Sequence, residues 1–354
     1  MGLRRICHLV LPKRIRSYLF LIYLFFTDRK RFKKSWYYRL HKVRYGKDNP
    51  KIHFFVIRRD PQRTGLLACY ICALGHLIDI DEKVSNGKLT PVMDMYTEYY
   101  SLIHNDESEK MRINAWEHYF QPFSNYSMCD VLHSKKVTLS FGYEVDSALQ
   151  FFHNNEFNEE IVKKYLPIHN KYFHLREELK EQFDKLSDDM FGNKRVLGTN
   201  VREGYMVLAH GRDHNEKSYA GEYIKGHPTQ PDIEVLCNML EEKMKEWNCE
   251  YLFAECQTTY VEEKIRARFG NRFLCSDHKR MDVKELSLDA WQKAVPQQRN
   301  GYGVVQNDID YLKSIYLLSK CTALFAPKSS GTVVASFWNN GNYDYFEIID
   351  NGIY

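Results

Sequence analysis

From residue 51 onward, short apolar runs of strand length keep alternating with helix-length segments, and no other feature of the chain restricts its fold as much. Lys51 to Arg58 (KIHFFVIR) is rich in β-formers. The loop DPQRTG then ends at Gly65, LLACYICALGHLIDI has the length and composition of a buried helix, and LTPVM is the next short strand. Strand, glycine-containing loop, helix and strand in this order form a βαβ unit. Residues 156–188 are polar and helix-prone, with apolar positions every three or four residues in EEIVKKYL and HLREELKEQFDKL. They read as a bridge. A second alternation follows: RVLGTNV, a long loop to Gln230, the helix PDIEVLCNMLEEKMKEW, EYLFAE, the helix TYVEEKIRARF and RFLCS. After a stretch containing Gln and Gly it resumes with DIDYLKSIYLLSK, TALFAP, GTVVASFWNN and DYFEIID. The expectation is an α/β chain of two Rossmann-like, doubly wound domains facing a cleft, with ligands at the carboxyl ends of parallel strands. The parts are a leader (1–47), an N-terminal α/β domain with the helical bridge (48–188) and a C-terminal α/β domain (189–354).

The net charge of +4 hides an asymmetry. Residues 1–47 hold 14 Lys or Arg against one acid, Asp28, a charge of +13, and the rest of the chain carries −9. Within the leader, SYLFLIYLFF (17–26) is an apolar run of ten residues between KRIR and RKRFKK. A spanning helix needs about 20 apolar residues, so the run reads as lying in the interface of an anionic membrane. Nucleic acid also attracts polycations, and a hydrophobic helix can pack on the body; the consecutive apolar residues favour the membrane over nucleic acid. Nine scattered cysteines, an odd number, argue for a reducing compartment. The expected location is therefore cytoplasmic and peripheral to the membrane. Cys69 and Cys72 form a lone CxxC, read as helix packing because no second pair completes a zinc site.

Arg202 stands at the carboxyl end of the RVLGTNV strand, where a guanidinium can clamp a diphosphate bidentately. The loop after it contains AHGRDH (Ala209 to His214) and GHPTQP (Gly226 to Pro231). A second signal agrees, because APKSSGT (Ala326 to Thr332) follows a strand and opens a helix, so its hydroxyls and N–H groups suit an anion. The pairs Asp79/Asp81 and Asp308/Asp310 have the Asp-x-Asp pattern of metal-dependent transferases. Both sit at helix ends, so no metal is expected. GxGxxG and GxSxG are absent.

In their order, VLGTNVR, GHPTQPDIE, EWNCEYLFAE, FGNRFL, DYLKSIYLLSKC, the SSG turn and NGNYDYFEIIDNGIY resemble the bacterial fucosyltransferase-like glycosyltransferases of GT-B type fold. NAWEHYF (Asn114 to Phe120) resembles that family's acceptor-side domain. The resemblance implies a metal-independent enzyme that takes a nucleotide sugar, typically GDP-fucose, and decorates glycans in surface polysaccharide or glycoconjugate synthesis. The acceptor is free or lipid-linked, and no cofactor is implied beyond the donor. Residue by residue, it implies that Arg202 holds the donor diphosphate, with Asn200 where the family's His-x-Arg signature has histidine. Ser329, Ser330 and Gly331 match the turn over the diphosphate. Ser314 stands where an acid often holds the base, and Asp310, one turn earlier, is its substitute. His227 is a further phosphate contact, and Asp213, His214 and Glu255 are the candidate bases. Arg59 and Arg63 flank the loop before Gly65. Because Asn200 and Ser314 replace functional residue types, the alternative is a noncatalytic nucleotide-sugar or glycan-binding relative.

Overall fold

The computed structural model describes residues 13–29, 32, 41–58, 65–95, 114–140, 157–203, 231–284 and 304–351. The first helix, α1 (Lys13–Thr27), is followed by β1 (His41–Val43) and β2 (Asp48–Arg58). Phe54 to Arg58 are all buried, which requires both faces of β2 to be covered. The helix α2 (Leu66–Ser85) buries twelve of its residues, Cys69 and Cys72 among them, and the chain returns as β3 (Thr90–Asp94). A short helix, α3 (Met128–Leu132), capped by Ser127 through a reciprocal bond with Asp130, leads into β4 (Ser134–Leu139). The sheet order is β1-β4-β2-β3, with β2 parallel to β3 and β4 and β1 antiparallel to β4.

Two ends of the expected segments lie elsewhere. The strand β1 pairs His41 with Leu139, so the sheet begins inside the segment read as leader. The bridge helices are α4 (Glu159–Tyr172) and α5 (Glu177–Phe191), and α5 runs on through residue 188 until Gly192, at φ 48°, ends it.

The second unit comprises β5 (Val196–Asn200), α6 (Ile233–Glu246), β6 (Tyr251–Glu255), α7 (Thr259–Phe269), β7 (Phe273–Leu274), α8 (Val304–Ser319), β8 (Ala323–Pro327), α9 (Ser330–Trp338) and β9 (Tyr345–Ile349). Its sheet order is β7-β6-β5-β8-β9, with every pair parallel. The chain starts in the centre at β5, winds outward through β6 and β7, and crosses back to β8 and β9. The direction of winding therefore reverses between β5 and β8, and the crevice at a reversal is where open α/β sheets hold ligands. All residues of β5 and β8 are buried.

One apolar core joins the helices of both sheets, through α2, the bridge, α8 and α9. Tyr70 of α2 is its polar hub. Trp338 Nε1 donates to Tyr70 Oη at 3.0 Å, and the Tyr70 hydroxyl meets His169 Nε2 at 2.6 Å. His169 Nδ1 faces Asn170 Oδ1 at 2.8 Å, which fixes the proton on Nδ1 and leaves Nε2 to accept. Burial lowers the His169 pKa to about 4, so the ring is neutral. Tyr119 Oη also donates to Asp308 Oδ2 at 3.0 Å, and Asp81 takes Lys171 and Tyr172 as partners, so both Asp-x-Asp pairs have an acid engaged in packing contacts.

Candidate functional site

At the reversal, β5 ends in Asn200 and the chain continues Val201, Arg202, Glu203. Of residues 199–203, Arg202 alone is not buried. Its neighbours hold it there. Val201 N–H donates to the Glu255 carbonyl at 2.8 Å, and the Glu203 carboxylate accepts from the N–H groups of Gln257 at 2.6 Å and Thr258 at 3.1 Å. Glu203 thus ties the end of β5 to the turn after β6. The Arg202 guanidinium lies over the Tyr311 ring of α8, 5.9 Å from its centroid.

Across the crevice, β8 runs into the turn that opens α9. Ser329 caps that helix by accepting from Thr332 N–H at 3.1 Å, and its hydroxyl also accepts from Asn200 Nδ2 at 2.9 Å. Asn200 and Ser329 are therefore committed to each other, while Ser330 is half-buried beside them. Gly331 permits the close approach of α9 to β5: a Cβ there would meet Asn200 Nδ2, Tyr311 Oη at 2.7 Å and Ile315 at 2.8 Å. The need for glycine is helix-to-strand packing. The result brings a half-buried guanidinium and the amino end of a helix, whose leading N–H groups and dipole favour anions, to the same crevice.

Behind this crevice lies a buried polar layer. Glu255, the last residue of β6, is 2% exposed, and its Oε2 has no hydrogen-bond partner among the described residues. Burial drives its carboxyl up to about 8, against the opposing pull of Ser314 and Arg280, so it is protonated at neutral pH. Burial likewise takes Glu203 up to about 7 against its backbone donors. His278 Nε2 is 3.9 Å from Glu255 Oε1, and burial, with Arg280 nearby, lowers its pKa to about 4. His278 Nδ1 pairs with Ser276 Oγ at 2.8 Å, Ser276 with Ser314 at 2.5 Å, and Ser314 Oγ donates to the Asp310 carbonyl at 3.2 Å. The Asp310 carboxylate, 4% exposed as a residue, takes Lys313 Nζ at 2.9 Å.

Beside the crevice, at the carboxyl ends of β8 and β9, a cavity of about 440 Å³ is lined by residues including Phe157, Glu159, Lys328, Phe346, Glu347 and Asp350. Lys328, 2% exposed, reaches to 3.7 Å from Asp350, and burial lowers its pKa.

The structure thus brings Asn200, Arg202, Ser329, Ser330 and Gly331 together, with Glu255 and Asp310 in the layer behind. Asp213, His214 and His227, with Arg59 and Arg63, lie outside the described residues. Sequence reasoning missed Glu203, Tyr311, Lys328 and His278. Glu203 carried a signal, being the acid directly after an arginine at a strand's carboxyl end, and Lys328 stood inside the APKSSGT turn. Among the described residues no group of three or more His, Cys, Asp or Glu is placed to hold a metal ion.

This is an α/β chain whose second sheet holds an arginine and a helix terminus at its switch point. No family model and no curated protein matches the chain. Among solved structures, it is similar to NodZ α-1,6-fucosyltransferase soaked with GDP-fucose (13% identity, TM-score 0.45, covering 85% of this chain and 100% of that one). It is similar also to fucosyltransferase NodZ from Bradyrhizobium (13%, 0.45, 80% and 92%) and to POFUT1 in its apo form (9%, 0.37, 85% and 75%).

Proposed function

We propose that the chain is a glycosyltransferase of the fucosyltransferase-like kind, which transfers a sugar, fucose from GDP-fucose, to a hydroxyl of a glycan acceptor. The observation that carries this reading is the convergence of Arg202 and the amino end of α9 on the crevice between β5 and β8, where a diphosphate would be neutralised from two sides. In the displacement, the acceptor oxygen bonds to the anomeric carbon as the bond from that carbon to the diphosphate breaks. The diphosphate leaves with the electron pair, and the acceptor proton passes to a base. Arg202 and the helix terminus stabilise the charge that develops on the leaving group. Asp213 and His214 remain the base candidates. Glu255 holds its proton at neutral pH, which suits it to the layer behind the site. The cavity with Phe157, Phe346 and Glu347 has aromatic and carboxylate walls of the kind that hold sugar rings and their hydroxyls, and is assigned to the acceptor.

One observation favours the noncatalytic alternative: Glu255, the only base candidate among the described residues, is buried, and that burial raises its pKa to about 8. Titration of the protein with GDP, GDP-fucose, UDP and CDP, followed by a GDP-release assay with and without glycan acceptors, tests both. Binding of GDP and GDP-fucose with acceptor-dependent release is the expected result. Binding without release favours the noncatalytic reading, and failure to bind any nucleotide overturns the proposal.

A further inference from the structure

Ten large apolar side chains are exposed among the described residues, and six of them lie on α1: Tyr18, Leu19, Ile22, Tyr23, Phe25 and Phe26, each between 42% and 79% exposed. Scattered apolar side chains need no explanation, but six on one helix form a patch. At 100° per residue they follow one another around the helix as Phe25, Tyr18, Ile22, Phe26, Leu19 and Tyr23, over an arc of about 160°. Leu21 and Leu24, each 2% exposed, form the opposite, narrow, buried edge. The fifteen residues of α1 span about 22 Å, short of the roughly 30 Å of a bilayer's hydrocarbon core. No described helix is long and apolar enough to cross a membrane.

The arc carries no charge, whereas KRIR precedes it in sequence and DRKRFKK follows it. The Arg29 guanidinium lies 5.6 Å from the centroid of the Phe25 ring, so a cation sits at the rim of the apolar face. We infer that α1 is a docking surface for an anionic lipid bilayer, lying in the plane of the interface with the arc among the acyl chains and the flanking cations at the headgroups. Charge selects this occupant. A second copy would bring another segment of +13 against the first, and a nucleic acid would leave the apolar arc in water. The inference does not rest on the site between β5 and β8.

The test is co-sedimentation of the full chain with vesicles of phosphatidylcholine alone or with 30% phosphatidylserine, at 0.05 and 0.5 M NaCl. Binding should be roughly tenfold or more stronger to the anionic vesicles at low salt, and reduced but not abolished at high salt. The full-length variant Leu19→Gln, Ile22→Gln, Tyr23→Gln and Phe26→Gln should bind about tenfold less, and the remainder should vanish at 0.5 M NaCl. Its thermal transition should match the parent's. Equal binding by variant and parent overturns the proposal, as does failure of the parent to sediment with anionic vesicles. A variant that no longer folds also overturns it, by showing that the arc belongs to the core. A parent dimer abolished by the substitutions, without vesicle binding, assigns the face to a second copy instead.

Discussion

Asn200, the last residue of β5, donates its side-chain amide to Ser329, the residue that caps α9, at 2.9 Å, with both residues fully buried. This bond ties the two halves of the switch point together: on one side the strand that carries Arg202, on the other the helix whose amino end faces the same crevice. Gly331 completes the tie by letting the helix approach.

Gly331→Ala should therefore disturb the site without touching a ligand. Its new methyl meets Tyr311 and Ile315 at 2.7 and 2.8 Å, so α9 must shift away from β5. The expected cost is about 1–3 kcal/mol of stability, in the range of core overpacking. It should come with weaker nucleotide binding, read by denaturant unfolding and calorimetry. Unchanged stability and affinity would show that the packing at this point is looser than described.

The buried carboxyls set a pH dependence of stability. Glu255 is raised to about 8 in the folded protein and Glu203 to about 7, both from an ordinary value of 4.5. Between the unfolded and folded values the native state binds the extra proton, so stability falls as pH rises through that window. His169 and His278, lowered to about 4, act in the opposite direction, adding stability as pH rises from about 4 to 6.5. Between pH 7 and 8 Glu255 and the upper part of the Glu203 titration both lower stability. Glu255→Gln should flatten the stability curve there and gain about 1–3 kcal/mol over the parent at pH 8.5 relative to pH 6. Parallel curves for the two proteins would contradict the burial argument.

Tyr70→Phe removes the hydroxyl shared by Trp338 and His169 and takes that partner from the buried His169 and the half-buried Trp338. Chemical unfolding should report a loss of about 1–3 kcal/mol. Because this hub joins α2 to the bridge and to α9, the loss should appear in one cooperative transition. A variant as stable as the parent would mean that the core between the two sheets does not depend on this hydroxyl.

If the proposed function holds, activity with a suitable acceptor should survive EDTA, because Arg202 and the α9 terminus would then supply the positive charge that faces the diphosphate. Loss of turnover on chelation with rescue by manganese or magnesium would assign that charge to an ion instead.

The inner strands of the second sheet, β6, β5 and β8, were legible because they are buried nearly throughout. YLFA of β6 and ALFAP before the SSG turn read as continuous apolar runs. In the first sheet β4 was missed: SKKVTL exposes Lys135 and Lys136, so its apolar content is too interrupted to stand out. The three-residue β1 lay unseen in a basic segment whose charge dominated the reading. At the site, Arg202 and Ser329 to Gly331 were legible from their positions at strand ends. The raised pKa of Glu255 was not, because the burial that causes it arises only once β6 and α8 are packed.

The central claim is that Arg202 neutralises a donor diphosphate, and calorimetric titration of GDP-fucose into the parent, Arg202→Lys and Arg202→Ala tests it most directly. Loss of a charge-assisted bond costs about 1.5–3 kcal/mol, so Arg202→Ala should bind roughly 10- to 150-fold more weakly. Arg202→Lys should be intermediate, because an ammonium keeps the charge but not the planar fork. GDP-fucose affinity equal to the parent's in a folded Arg202→Ala protein would contradict the assignment of the site.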